Sequence, residues 1–385
     1  FTKIYGNPSS LYKEGVKANG VLNNSRRVIA KLIGALPENI IFTGSGTESD
    51  NLAVYGIAHA HKNHGKHIIS TPIEHHAVLH PLEDLKKQGW EITYVRVDNT
   101  GIVNPDEVIK AIRPDTILIS VMYANNEMGA IEPIAEIGRK LLAYRADFAS
   151  AKSSILDSAA KRNRDKEKQT PYPFFHTDAC QAAGYLDLDV EKLHVDLMTV
   201  NGSKIYGPKG VGALYVRRGA VLKPLILGGD QERKLRAGTE NIPCIVGLAK
   251  ALELAQANKD KESKRLDALV KYLWEKIQKK IPQVKLNGPE IGSQRLVNNL
   301  NVSFAGVEGE ALLLYLDEYG IMCSTGSACA AQSLEPSHVL KALGIPYEYS
   351  RGSLRFTFGR ANTKADMDYL MKYLPLIVEQ QRSNR

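Results

Sequence analysis

The sequence predicts an α/β protein: a mostly parallel central sheet with helices on both faces, followed by a smaller C-terminal α+β domain. Three observations point there. The first two thirds alternate short apolar runs with amphipathic helical stretches, the rhythm of strand–helix–strand crossovers. The last third changes to one long helical pattern, then strands and a closing helix. The length, 385 residues, is enough for two cores.

Taken in order, Ile40-Ile41-Phe42 is the first strand, and it runs into the turn Gly44-Ser45-Gly46-Thr47. Leu52, Val54, Ile57 and Ala58 then recur at helical spacing. Further strands are expected over 67–70, 92–95, 116–121, 174–177 and 197–200, with helices over 75–87, 104–112 and 133–142 among them. Such strands are apolar on both faces because helices cover both. Ligands in such sheets sit at the carboxyl ends of the strands.

Residues 1–255 are assigned to the large domain and 256–385 to the small one. A helical pattern over about 241–281 is split by the charged run 258–262. Strands at 298–304 and 355–358 and helices at 309–319 and 364–380 complete the small domain. Residues 143–171 do not fit the rhythm and read as a surface insertion, with a helix possible over 149–160. Seven basic and four acidic residues between 145 and 168 make it either a solvated excursion or a partner-docking element.

The net charge of +8, from 50 basic and 42 acidic residues, favours anionic partners, phosphorylated ligands included. No basic stripe interleaved with aromatics and no zinc-finger spacing is present, so direct nucleic-acid binding is not expected. No apolar run approaches the roughly 20 residues that cross a bilayer, so no membrane role is expected. The start, Phe1-Thr2-Lys3-Ile4-Tyr5, lacks signal-peptide character and an initiator methionine, which points to a segment preceding it. Cys180, Cys244, Cys323 and Cys329 are too sparse for a disulfide framework and form no C-x-x-C metal pair. A reducing, cytoplasmic setting without a metal is the expectation.

Several residues could carry chemistry. Cys329 follows Ser324-Thr325-Gly326-Ser327-Ala328 and precedes Leu334-Glu335-Pro336-Ser337, a run of small residues that suits a mobile loop. A thiolate acts as a nucleophile only when accessible and deprotonated. Lys204, in Asn201-Gly202-Ser203-Lys204-Ile205-Tyr206-Gly207-Pro208, leaves a strand where an amine can hold an aldehyde as a Schiff base; otherwise it is a surface lysine. Gly44 to Thr47 join a strand to a helix, where free N–H groups can face an anion, although many such turns are only turns. His75 at a helix start could stack on a flat cofactor and relay a proton, or simply cap the helix. Asp178 closes a strand and could pair with a pyridinium nitrogen, or act as a helix N-cap. Asn125-Asn126-Glu127 ends another strand, and its amides could hold cofactor or substrate. Arg360 could grip a carboxylate as a fork or make a structural ion pair. A Schiff-base lysine together with a loop thiol points to a pyridoxal phosphate enzyme that passes sulfur to its own cysteine.

These segments, in this order, resemble the cysteine desulfurases of the fold-type I pyridoxal phosphate-dependent transferases. The likeness runs from Gly6-Asn7-Pro8-Ser9-Ser10 to Gly359-Arg360. It is specific at Gly46 to Leu52, Glu74-His75, Asn125-Asn126-Glu127, His176-Thr177-Asp178, Lys204 to Gly210 and Arg236-Ala237-Gly238-Thr239. Ser327-Ala328-Cys329 with its long tail resembles the group that feeds iron–sulfur cluster assembly.

The resemblance implies that Lys204 forms the Schiff base, Asp178 pairs with the ring nitrogen, His75 stacks on the ring and Gln181 bonds the phenolic oxygen. It implies that Gly46, Thr47 and Ser203 hold the phosphate, with Thr239 reaching the site of the other subunit of a homodimer. Asn126 and Arg360 would grip the carboxylate of L-cysteine. Cys329 would take its sulfur as a persulfide for an iron–sulfur scaffold or another sulfur-acceptor protein, tRNA thiolation being a further destination. Two positions depart from the family pattern, Asn201 for a serine and Ser203 for a histidine, as do the 143–171 insertion and the missing segment before Gly6. Rival readings are a selenocysteine lyase or aminotransferase of the same fold, which would not need Cys329. A cofactor-bound scaffold for sulfur-carrier proteins is the non-enzymatic alternative.

Overall fold

The computed structural model describes residues 3–156, 172–326 and 337–384, with 148–156 described by backbone alone. The chain divides into two compact units, the first holding residues 1–95, 104–123 and 133–257, the second 96–103, 124–132 and 258–385.

The first unit is built on seven strands: β1 (Ile40–Thr43), β2 (His67–Ser70), β3 (Glu91–Tyr94), β4 (Thr116–Ser120), β5 (Phe174–Asp178), β6 (Leu197–Asn201) and β7 (Gly212–Val216). Their spatial order is β1-β7-β6-β5-β4-β2-β3. Pairings among β3, β2, β4, β5 and β6 are parallel, whereas β7 runs antiparallel to both β6 and β1. Strands β1, β2, β4, β5 and β7 are buried along their whole length, which explains their unbroken apolar runs. Ile41, Leu52, Ile57, Ile68, Leu82, Trp90, Leu118, Phe174, Leu197 and Leu214 belong to one core cluster. Because β1, β2, β4, β5 and β6 point the same way, their carboxyl ends share one edge, and the loops leaving β1, β2, β5 and β6 carry the predicted cofactor residues.

The second unit has a three-stranded antiparallel sheet, β8 (Val284–Leu286), β9 (Asn299–Phe304) and β10 (Ser353–Thr357), with β9 in the centre. Residues 124–132 are laced onto it. The Glu127 carbonyl accepts from the amides of Asn299 and Asn301, both at 3.0 Å, and Arg295 donates to the Met128 carbonyl at 2.7 Å. Helix Lys364–Ser383 opens on a capping box in which Asp366 accepts the Thr363 N–H at 2.7 Å.

Several expectations change. Helix Ile242–Lys280 is continuous for 39 residues, so the charged run 258–262 does not split it. Lysine and glutamate are good helix formers, and Glu262 pairs with Arg265 at 2.6 Å one turn on. Helix Ile134–Leu156 runs through the first half of the expected insertion; residues 157–171 lie outside the described residues. Helix Lys13–Leu32 and strands β7 and β8 were not anticipated. Cys323 lies outside any strand, and the residue after it bridges to Arg355.

Candidate active site

The turn after β1 is closed by its own side chains. Ser45 caps helix Gly46–His61, its hydroxyl accepting the Glu48 N–H at 3.0 Å. The Glu48 carboxylate in turn accepts the Gly44 N–H at 2.8 Å and pairs with Arg236. No partner within the described protein takes up the N–H groups of Gly46 and Thr47. Two donors at a helix N-terminus, aided by the helix dipole, therefore remain for an anion. Gly46 is required there: a Cβ would lie 2.8 Å from the Cys180 sulfur and 3.0 Å from the Asn201 amide nitrogen.

Lys204 sits three residues past β6 in a tightly folded loop. Gly202 donates to the Val211 carbonyl, while its own carbonyl accepts from Ile205 at 3.2 Å and Gly207 at 2.9 Å. A Cβ on Gly202 would lie 2.5 Å from the Pro208 carbonyl oxygen, so the loop has room only for glycine. Ser45, Gly46, Asn201, Ser203, Lys204, Lys209, Gly210 and Val211 line a cavity of about 300 Å³. Asn201, one of the lining residues, has a buried Oδ1 without a hydrogen-bond partner, and its amide nitrogen is the atom that a Cβ on Gly46 would meet.

Asp178 ends β5 and is 7% exposed; its Oδ1 accepts the Cys180 N–H at 2.8 Å. Beneath it lies a polar network that no sequence pattern announced. His176 contacts the Ser120 hydroxyl at 2.9 Å and the Thr199 hydroxyl at 3.1 Å, and lies 3.6 Å from Asp50. Burial pushes the His176 imidazole down to about 3, so the ring is neutral. Burial, then the neighbouring Asp178, pushes the Asp50 carboxyl well above the usual carboxylate range. Cys180 is buried in the same acidic surroundings, and burial and Asp178 raise its thiol well above the ordinary value, which disfavours a thiolate.

His75 leaves the β2 edge as the N-cap of helix His76–Lys87, its Nδ1 accepting the Ala77 N–H at 3.1 Å. Gln181 follows Asp178 on the β5 edge. Thr239 lies in the exposed loop after Arg236. Gly46, Thr47, His75, Asp178, Gln181, Ser203 and Lys204 thus leave the sheet at one edge. Asn126 and Arg360 belong to the second unit. There the Asn126 carbonyl accepts from Arg355 at 2.9 Å, and Arg265 donates to the carbonyls of Gly359 at 2.9 Å and Asn362 at 2.6 Å, shaping the turn that carries Arg360. Cys329 lies outside the described residues, as does all of 327–336. Burial pushes the Cys323 thiol up to about 11, away from nucleophile duty. Among the described residues, no group of three or more His, Cys, Asp or Glu could hold a metal, and no helix is long and apolar enough to cross a membrane.

The family model described as aminotransferase class-V matches residues 1–155 and 168–370. A Clostridium botulinum protein named cysteine desulfurase IscS is 48% identical over 382 residues, covering 99% of this chain and 89% of that protein. A Methanosarcina thermophila protein of the same name is 49% identical over 382 residues, covering 99% and 87%. Among solved structures, a "NifS-like protein" superimposes with a TM-score of 0.84 at 34% identity, covering 98% of this chain and 93% of its own. A second, titled "SspA in complex with cysteine", reaches 0.74 at 34% identity, covering 92% and 91%. With the sheet, its ligand edge and these likenesses in agreement, the chain belongs to the aminotransferase class-V family, in its cysteine desulfurase branch.

Proposed function

We propose that this protein is a cysteine desulfurase, which converts L-cysteine to L-alanine and holds the released sulfur as a persulfide on Cys329. The observation that carries the reading is the cavity at the strand edge, lined by Lys204, Ser203 and Gly46 at the helix N-terminus. The family implies pyridoxal 5′-phosphate, and the residues fit it. The donors of Gly46, Thr47 and Ser203 suit a phosphate, the orphaned buried oxygens of Asn201 and Thr177 await polar partners, and Asp178 supplies a carboxylate at the same edge.

When bound, the cofactor supplies an electron sink for the pair left behind by the substrate's α-proton. Lys204 would hold the cofactor through its amine and, once released, would take the substrate's α-proton and return it. Asp178 would pair with the ring nitrogen, and His75 and Gln181 would orient the ring. Asn126 and Arg360 bind the substrate carboxylate. The Cys329 thiolate attacks the substrate sulfur; the sulfur–carbon bond breaks, its electron pair stays with the β-carbon, and protonation there completes alanine. The persulfide then passes to an acceptor, for which an iron–sulfur scaffold protein is the first choice. A cytoplasmic homodimer, with Thr239 lent to the partner's site, completes the reading.

Alanine release from L-cysteine, measured for the parent and for Cys329→Ser, tests the proposal. Release from the parent is expected, with loss of turnover and of the protein persulfide in the variant while the visible absorption of bound cofactor stays. Undiminished release from Cys329→Ser would remove Cys329 from the reaction. Bound cofactor with no release from the parent would favour another substrate of the same fold or a scaffold.

A further inference from the structure

We infer that Glu48 and Arg236 act as a positioning pair for the anion-binding turn after β1: Glu48 ties the turn to the Arg236–Thr239 loop, and Arg236 neutralises the carboxylate beside the anion site. The inference rests on the reading above, in which this turn takes the cofactor's phosphate.

One carboxylate spans three segments. Glu48 Oε2 accepts the Gly44 N–H at 2.8 Å, at the end of β1. Glu48 itself lies in the first turn of the helix, its N–H bound to the Ser45 hydroxyl. Oε1 accepts from Arg236 Nε at 2.8 Å and Oε2 from its Nη2 at 3.4 Å, across 188 residues of sequence. With the Gly44 and Glu48 N–H groups taken, the donors left over in the turn are those of Ser45, Gly46 and Thr47. The same bonds that close the turn therefore select which donors remain for an anion.

Charge makes the arginine necessary. A carboxylate two residues from Gly46 would repel a phosphate held there, in a site that favours anions through its helix dipole. Arg236 covers that charge with a forked contact, and its guanidinium is raised first of all by this bond. Both side chains are about a quarter exposed, 26% and 21%, so as a simple ion pair they would contribute little to stability. Their effect is expected in phosphate binding rather than in folding.

The test titrates the cofactor-free protein with pyridoxal 5′-phosphate and, separately, with pyridoxal, which lacks the phosphate. The proteins are the parent, Glu48→Gln, Arg236→Gln and the double variant. Arg236→Gln is expected to weaken pyridoxal phosphate binding about tenfold, since it exposes a bare carboxylate to the phosphate. Glu48→Gln, which keeps an acceptor for Gly44, is expected to weaken it less. In the double variant part of the Arg236→Gln loss returns, because the repelling charge is gone. Pyridoxal affinity stays level throughout. Equal losses for both ligands would mean general structural damage and overturn the inference, as would losses that simply add. A parent that binds the two ligands equally well overturns it too, while leaving the desulfurase reading standing. A parent that binds neither overturns the cofactor reading and the inference with it.

Discussion

Replacing Glu232 by alanine should destabilise the first unit by about 3 kcal/mol. Its side chain is 1% exposed and takes three hydrogen bonds: from Arg26 Nη1 at 2.8 Å and Nη2 at 2.6 Å, and from the Phe42 N–H at 2.9 Å. Removing one partner of a buried pair costs roughly 3–5 kcal/mol, because the other charge remains, here an Arg26 only 9% exposed. The stranded Phe42 N–H adds about 1–3 kcal/mol. Some of this returns. Glu232, Arg233 and Lys234 have φ of 46°, 57° and 64°, three consecutive non-glycine residues in the left-handed region, and relaxing them recovers about 1 kcal/mol each. The net loss comes to about 3 kcal/mol. Urea unfolding followed by Trp90 fluorescence measures it, in a Trp274→Phe background so that the signal comes from the first unit alone. Glu232→Gln, which keeps an acceptor, should lose less. A Glu232→Ala midpoint within about 1 kcal/mol of the parent at an unchanged denaturant slope would refute the reasoning.

Two further outcomes are expected. His176 titrates near 3 in the fold against about 6.5 unfolded, so its contribution is complete above pH 6.5 and is lost as pH falls toward 3. Over that window stability should fall by about 1.4 kcal/mol per pH unit from this group, and urea midpoints of His176→Gln should show a flatter acid limb; an unchanged limb would count against it. Gly46→Ala should weaken cofactor binding about tenfold in an absorption titration, since its Cβ would press on Cys180 and Asn201. Unaltered affinity would mean that the turn can shift without cost.

What was legible in the sequence was whatever is written locally. Ile40 to Thr43, His67 to Ser70, Thr116 to Ser120 and Leu197 to Asn201 are contiguous apolar runs between turn residues, and strands lie there. Lys204, Asp178 and Gly46 were noticed because they follow such runs. Contacts distant in sequence left no local trace. Nothing in Gly212 to Val216 says that β7 inserts antiparallel between β1 and β6, nor does Glu48 reveal its partner 188 residues away. The network of His176, Asp50, Ser120 and Thr199 joins four separate segments, and only the fold assembles it. The charged run at 258–262 misled because charge was read as a break, whereas lysine and glutamate prolong a helix readily.

The second unit's debt to residues 124–132 has a consequence for synthesis. The Glu127 carbonyl waits for the Asn299 amide, 172 residues downstream, an interval of roughly 10–35 s at bacterial-to-eukaryotic elongation rates. During that time the segment closes only on itself, through bonds such as Asn125 N–H to the Ala130 carbonyl. A ribosome-bound chain halted near residue 257 would hold the first unit's whole sequence and still leave the Glu127 and Met128 carbonyls and the Ile131 N–H without their partners among residues 294–301. No cut at a single point can separate the two units, since the second is threaded through the first in chain order.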